Sequence, residues 1–165
     1  MQNKIFRFIL PYTLILLTIR LTIDVIIKYF ELGYQGESYG GLLAFVIELG
    51  FIFVTIKKLK ATNNGSLKFT DGIKVGTALM LIVGLIFTLY ISLIHNQIID
   101  PTYQERLVAE ATQKLLEQNP EADTSILKQD KDANTYIGIG FSVIKYILIG
   151  AIGGIISSAI LKTEK

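Results

Sequence analysis

The residues most able to do chemistry sit where charge is least welcome. IRLTIDVIIKYFE, residues 19–31, places Arg20, Asp24 and Lys28 four apart inside a segment otherwise apolar enough to cross a bilayer. Glu48 and Lys145 are lone charges in two further apolar segments. With Lys28 set aside as near the outer end of its segment, two carboxylates and two cations at membrane depth permit three uses: neutral pairing that ties helices together, a protonatable or ion-binding carboxylate with its counter-charge, or a base of depressed pKa. The single histidine, His95, cannot build a His-based metal site, and the chain has no cysteine. No HExxH, CxxC, G-x-S-x-G or phosphate-loop pattern occurs, so no catalytic residue, metal or cofactor is expected.

The elements that must position these charges follow from composition. The chain has 165 residues, of which 51% are hydrophobic, and its mean hydropathy is +0.50, too apolar for an ordinary soluble domain. The apolar excess falls in four segments, about 5–30, 41–56, 72–97 and 137–161. Three match the roughly 20 residues that a bilayer core requires. The second is short and would need snorkelling ends or local thinning. ELGYQGESYGG before it reads as a Gly-rich turn with Tyr29, Tyr34 and Tyr39 as interfacial anchors, and the Asn63–Ser66 stretch reads as a second turn.

Charge orients the spans. Residues 57–74 hold five lysines against Asp71, which marks a cytoplasmic loop; Lys4, Arg7, Lys162 and Lys165 put both termini on that side. Residues 100–134 hold eight acids against four bases, a balance of −4, and belong outside. The expected fold is all-α: an integral membrane four-helix bundle, N-in and C-in, forming one domain over residues 1–165. An extra amphipathic helix is expected in the outer loop between spans three and four. There Asp100 would cap and Pro101 would take the first helical position, with Tyr103, Leu107, Ala111 and Leu115 on one face and Asn119–Pro120 as the stop. A cleaved leader is rejected for the first segment, because Arg20, Asp24 and Lys28 stand where a small-residue cleavage site would be.

At ~1.5 Å rise per residue, Arg20 lies about 15 Å below the outer boundary, Asp24 about 9 Å, Glu48 about 12 Å and Lys145 about 14 Å. Arg20, Asp24, Glu48 and Lys145 are therefore expected to form one neutral mid-membrane cluster, with Ser142 and Thr88 as polar neighbours. Lys28 and Lys74, nearer the ends, are expected to snorkel. Gly72, Gly76 and Gly84 on span three, and Gly150 and Gly154 on span four, form small-residue stripes suited to close helix packing within the chain or between chains.

The run from Phe69 through DGIKVG to LIFTLYISLIHNQIIDPTY, a Gly-marked third span ending in Ile-Ile-Asp-Pro before an acidic helical loop, resembles a family of small bacterial four-span membrane proteins catalogued as a domain of unknown function. The resemblance implies a bacterial cytoplasmic-membrane location and carries over no catalytic residue. The expected partners are the lipid bilayer and either further copies of the chain or another membrane protein. Basic residues sit at membrane edges and not among aromatics, so nucleic acid is not expected. A binding, scaffold or accessory role ranks ahead of proton- or ion-coupled transport through the charge cluster. An enzyme ranks third, with Lys145 as the conceivable base.

Overall fold

A computed structural model describes the backbone for residues 2–124 and 131–162, and side chains for residues 5–33, 35–124 and 138–162. Expectations resting on Lys4, Tyr34, Tyr136, Lys165 and the loop charges from Lys128 to Asp132 lie outside the described side chains. Among the described residues there are five helices and no strand: α1 (Gln2–Tyr29), α2 (Gly33–Thr62), α3 (Phe69–Leu89, prolonged by π-helical turns over Tyr90–Ile99), α4 (Tyr103–Gln118) and α5 (Lys131–Leu161). Four segments are long and apolar enough to cross a membrane: Ile5–Tyr29, Gln35–Thr62, Phe69–Ile99 and Gly138–Leu161. Their outward residues are large and apolar, among them Leu14, Val25, Leu42, Val46 and Ile152. A belt of that kind suits lipid.

The second span is not short. α2 runs 30 residues, because the glycines read as a turn are helical. A Cβ on Gly36 or Gly40 would collide with Ile27 of α1 or with Leu32, so these glycines admit a neighbouring helix and do not bend the chain. The reversal between α1 and α2 is confined to residues 30–32. Leu32 N–H bonds Ile27 O at 3.0 Å and Glu31 N–H bonds Lys28 O at 3.1 Å, the two bonds of a Schellman ending, with Glu31 in the left-handed region at φ 49°. At the far end of α2, Gly65 (φ 79°) donates to Lys60 O at 2.9 Å and closes the Asn-Asn-Gly turn.

α3 and α5 form the most extensive helix pair, with α1 packed on α3 and α2 on α5. A Cβ on Gly76 would stand 2.5 Å from Gly150 O and 3.1 Å from Gly154 Cα, and one on Gly154 would stand 2.9 Å from Ile73 Cα. These glycines therefore let α3 and α5 touch backbone to backbone within one chain. Gly84 admits the Tyr146 ring and Gly72 admits Ser158. Around this pair Ile9, Leu16, Ile52, Ile56, Leu79, Met80 and Val83 are fully buried. In lipid, such contacts gain from dispersion and fit, since apolar surface alone is no better off inside than out.

The junction before α4 also differs from expectation. The helix starts at Tyr103 with Thr102 as N-cap, so Pro101 lies outside it. Asp100 braces the start from outside: Oδ1 accepts from Thr102 N–H at 3.2 Å and Thr102 Oγ1 at 2.8 Å, and Oδ2 accepts from Arg106 at 2.5 Å. Tyr103 is buried, whereas Leu107, Ala111 and Leu115 on its face are half-buried.

Candidate functional site

The charges within the bundle resolve into two pairs on successive turns of α1. At the level of Glu48, midway along the α2 span, Arg20 Nε stands 3.8 Å from Glu48 Oε1. The same Nε donates to the Tyr146 hydroxyl of α5 at 3.3 Å, and the guanidinium lies 4.5 Å from the Phe87 ring centre of α3. All four spans thus meet at Arg20. Glu48 is almost fully enclosed, its side chain 4% exposed, so the opposite charge of Arg20 is what makes its burial tolerable.

One turn on, Lys28 Nζ donates to Asp24 Oδ1 at 2.5 Å. The expectation that Lys28 snorkels outward is corrected: its side chain is 10% exposed, and its ammonium lies 5.3 Å from the Tyr103 ring centre. The cause is helical spacing, which sets residues i and i+4 on one face. Asp24 Oδ2 is buried without a hydrogen-bond partner. Above this pair, Tyr103 donates to Glu37 Oε1 at 2.6 Å and meets His95 edge-on at 5.3 Å, while His95 Nδ1 contacts Asn96 Oδ1 at 3.0 Å. Burial, then the bond to Glu37, pushes the Tyr103 phenol pKa up. The result is a column of polar and aromatic groups rising from mid-span to the α4 end of the bundle.

The expected four-member cluster is corrected at Lys145. That residue is exposed on α5 and forms no ion pair with Asp24 or Glu48, although its charge acts on Glu48 through space. Tyr146, the next residue along, takes the inward position. Ser142 is half-buried and Thr88 is buried, yet neither donates to the charged groups. Lys74 is exposed.

Reading spans alone missed Tyr146, Phe87, Tyr103 and Glu37 as partners. The available signal was aromatic residues at the depth of the charges. Among the described residues no group of three or more His, Asp or Glu side chains could hold a metal ion. Chemically, the column can hold helices together, and at Asp24 it offers a carboxylate oxygen open to a proton or donor.

A family described as Protein of unknown function (DUF4199) matches residues 12–163. The chain belongs to the DUF4199 family. The matched part of this DUF4199 chain contains both ion pairs, Tyr103 and the exposed Lys145. No curated protein and no solved structure matches it.

Proposed function

We propose that this protein is a membrane-embedded binding subunit, a scaffold or accessory component of a larger membrane assembly, and not an enzyme. Its setting is the bacterial cytoplasmic membrane. Both termini and the lysine-rich loop 57–74 lie inside, and the acidic connection 100–134 lies outside with α4 as an amphipathic helix on the outer surface. The observation that carries the role is mutual satisfaction of charge: Arg20 with Glu48 and Asp24 with Lys28, braced by Tyr146 and Tyr103. Below that level α3 and α5 are in backbone contact at Gly76, Gly150 and Gly154, which suits a fastened bundle better than a path from face to face.

The test is a stability cycle in detergent with Arg20→Met, Glu48→Gln and the double variant. Removing either partner strands the other, so each single variant should lose stability and the double should recover most of the loss. Simple additivity would remove the pairing argument.

Transport is retained as a second reading on one observation, the unpartnered Asp24 Oδ2. It requires proton flux in proteoliposomes that is abolished by Asp24→Asn. A wild-type protein that carries no flux supports the binding role.

A further inference from the structure

The outer face of α5 carries one charge in an apolar stripe. Phe141, Ile144, Leu148, Ile152, Ile156 and Ile160 are all exposed along it, with Lys145 among them. Lys145 adjoins Tyr146, whose hydroxyl touches Arg20 at the level of Glu48, midway along the α2 span. At helical rise Lys145 lies about 14 Å below the outer boundary of its span. That gap exceeds what a four-carbon stem covers in reaching for the interface. An ammonium facing lipid at that depth is disfavoured, and charges there normally meet a partner.

Among the described residues none forms an ion pair with Lys145, and its charge reaches Glu48 only through space. The chain's two mid-span acids are enclosed and already paired, Asp24 being 6% exposed and Glu48 3%. A second copy meeting this face about a two-fold axis would bring lysine against lysine. Resting on the binding-subunit reading above, we infer that the α5 face docks a transmembrane helix of a different protein, one carrying a carboxylate at mid-span. Phe141, Ile144, Leu148 and Ile152 pack against that helix, and Lys145 pairs with its acid. Within lipid, an interhelical pair of this kind specifies both partner and register.

The probe is a synthetic Leu/Ala-rich transmembrane peptide with one central Glu, compared with its Gln counterpart. Full-length protein is reconstituted in phosphatidylcholine vesicles containing phosphatidylglycerol at pH 7.5, and association is read by Förster transfer. The Glu peptide should associate about tenfold more tightly than the Gln peptide. Lys145→Met should abolish that preference, and Lys74→Met should leave it intact. Equal association of the two peptides, or a Glu preference that survives Lys145→Met, overturns the inference. If the preference is absent while wild-type vesicles carry no proton flux, the partner's acid is refuted and the binding role stands. Flux abolished by Asp24→Asn would instead refute the binding role itself.

Discussion

Tyr103 donates its phenolic proton to Glu37 Oε1 at 2.6 Å, and this bond fastens α4 to the first turns of α2. Tyr103→Phe keeps the ring against Lys28 and His95 but removes the bond. The expected cost is about 1–2 kcal/mol, measured by denaturant titration in detergent.

The same phenol sets an alkaline limit. Its pKa is raised in the folded protein by burial and by Glu37, above the ordinary 10.0. A group of this sign contributes its stability in full below the unfolded value and loses it as pH rises through the folded one. Wild-type stability should therefore fall above about pH 10, and Tyr103→Phe should flatten that limb of the curve. Identical limbs would show that the bond carries no linkage.

At the other extreme stands Asp100. The Thr102 hydroxyl and then Arg106 hold its carboxyl below the usual 3.8 against the opposing effect of burial. A depressed carboxylate stabilises above its unfolded pKa and loses that contribution as pH falls through the folded value. Below about pH 3.8 the α4 junction should loosen in wild type. Asp100→Asn should show a shallower acid dependence when exchange of the 100–106 amides is followed by mass spectrometry.

Glycines in this chain have opposite prospects. Gly150→Ala would put a methyl 2.5 Å from Gly76 O and 2.9 Å from Thr77 Cα, so a loss of about 1–3 kcal/mol is expected. Gly50 has nothing within 4 Å of a built Cβ, and Gly50→Ala should be neutral or gain up to about 1 kcal/mol from helix propensity. Unfolding of the two variants side by side reads the sign directly.

Glu31 occupies a left-handed position, at φ 49°, that suits glycine. Glu31→Gly should stabilise the α1–α2 reversal by about 1 kcal/mol, visible as a higher Tm. No change would mean that the reversal relaxes without it.

The four apolar segments were legible because length and hydropathy are local properties. The start of α2 was not. Whether Gly36 and Gly40 turn a chain or admit a neighbour depends on Ile27, which only the packed structure brings near. Depth arithmetic put Arg20 and Glu48 at one height, and they stand 3.8 Å apart. Height does not give direction around the helix, however. Consecutive residues point about 100° apart, so Tyr146 faces inward while Lys145 faces out. The Asp24–Lys28 pair was readable from its spacing of four, but distance from the membrane centre made Lys28 look like an end residue.

The glycine contact between α3 and α5 has a mechanical consequence. With Gly76 and Gly154 backbones already touching, neither helix can slide by a turn without driving a larger residue into the other's main chain. The pair therefore behaves as one stiff beam. α1 and α2 lean on it through side chains and are joined to each other by a three-residue reversal. A swing of that hairpin against the beam has to break the Arg20 contacts to Tyr146 and Phe87 at one level and the Lys60 bond to Leu161 O at another.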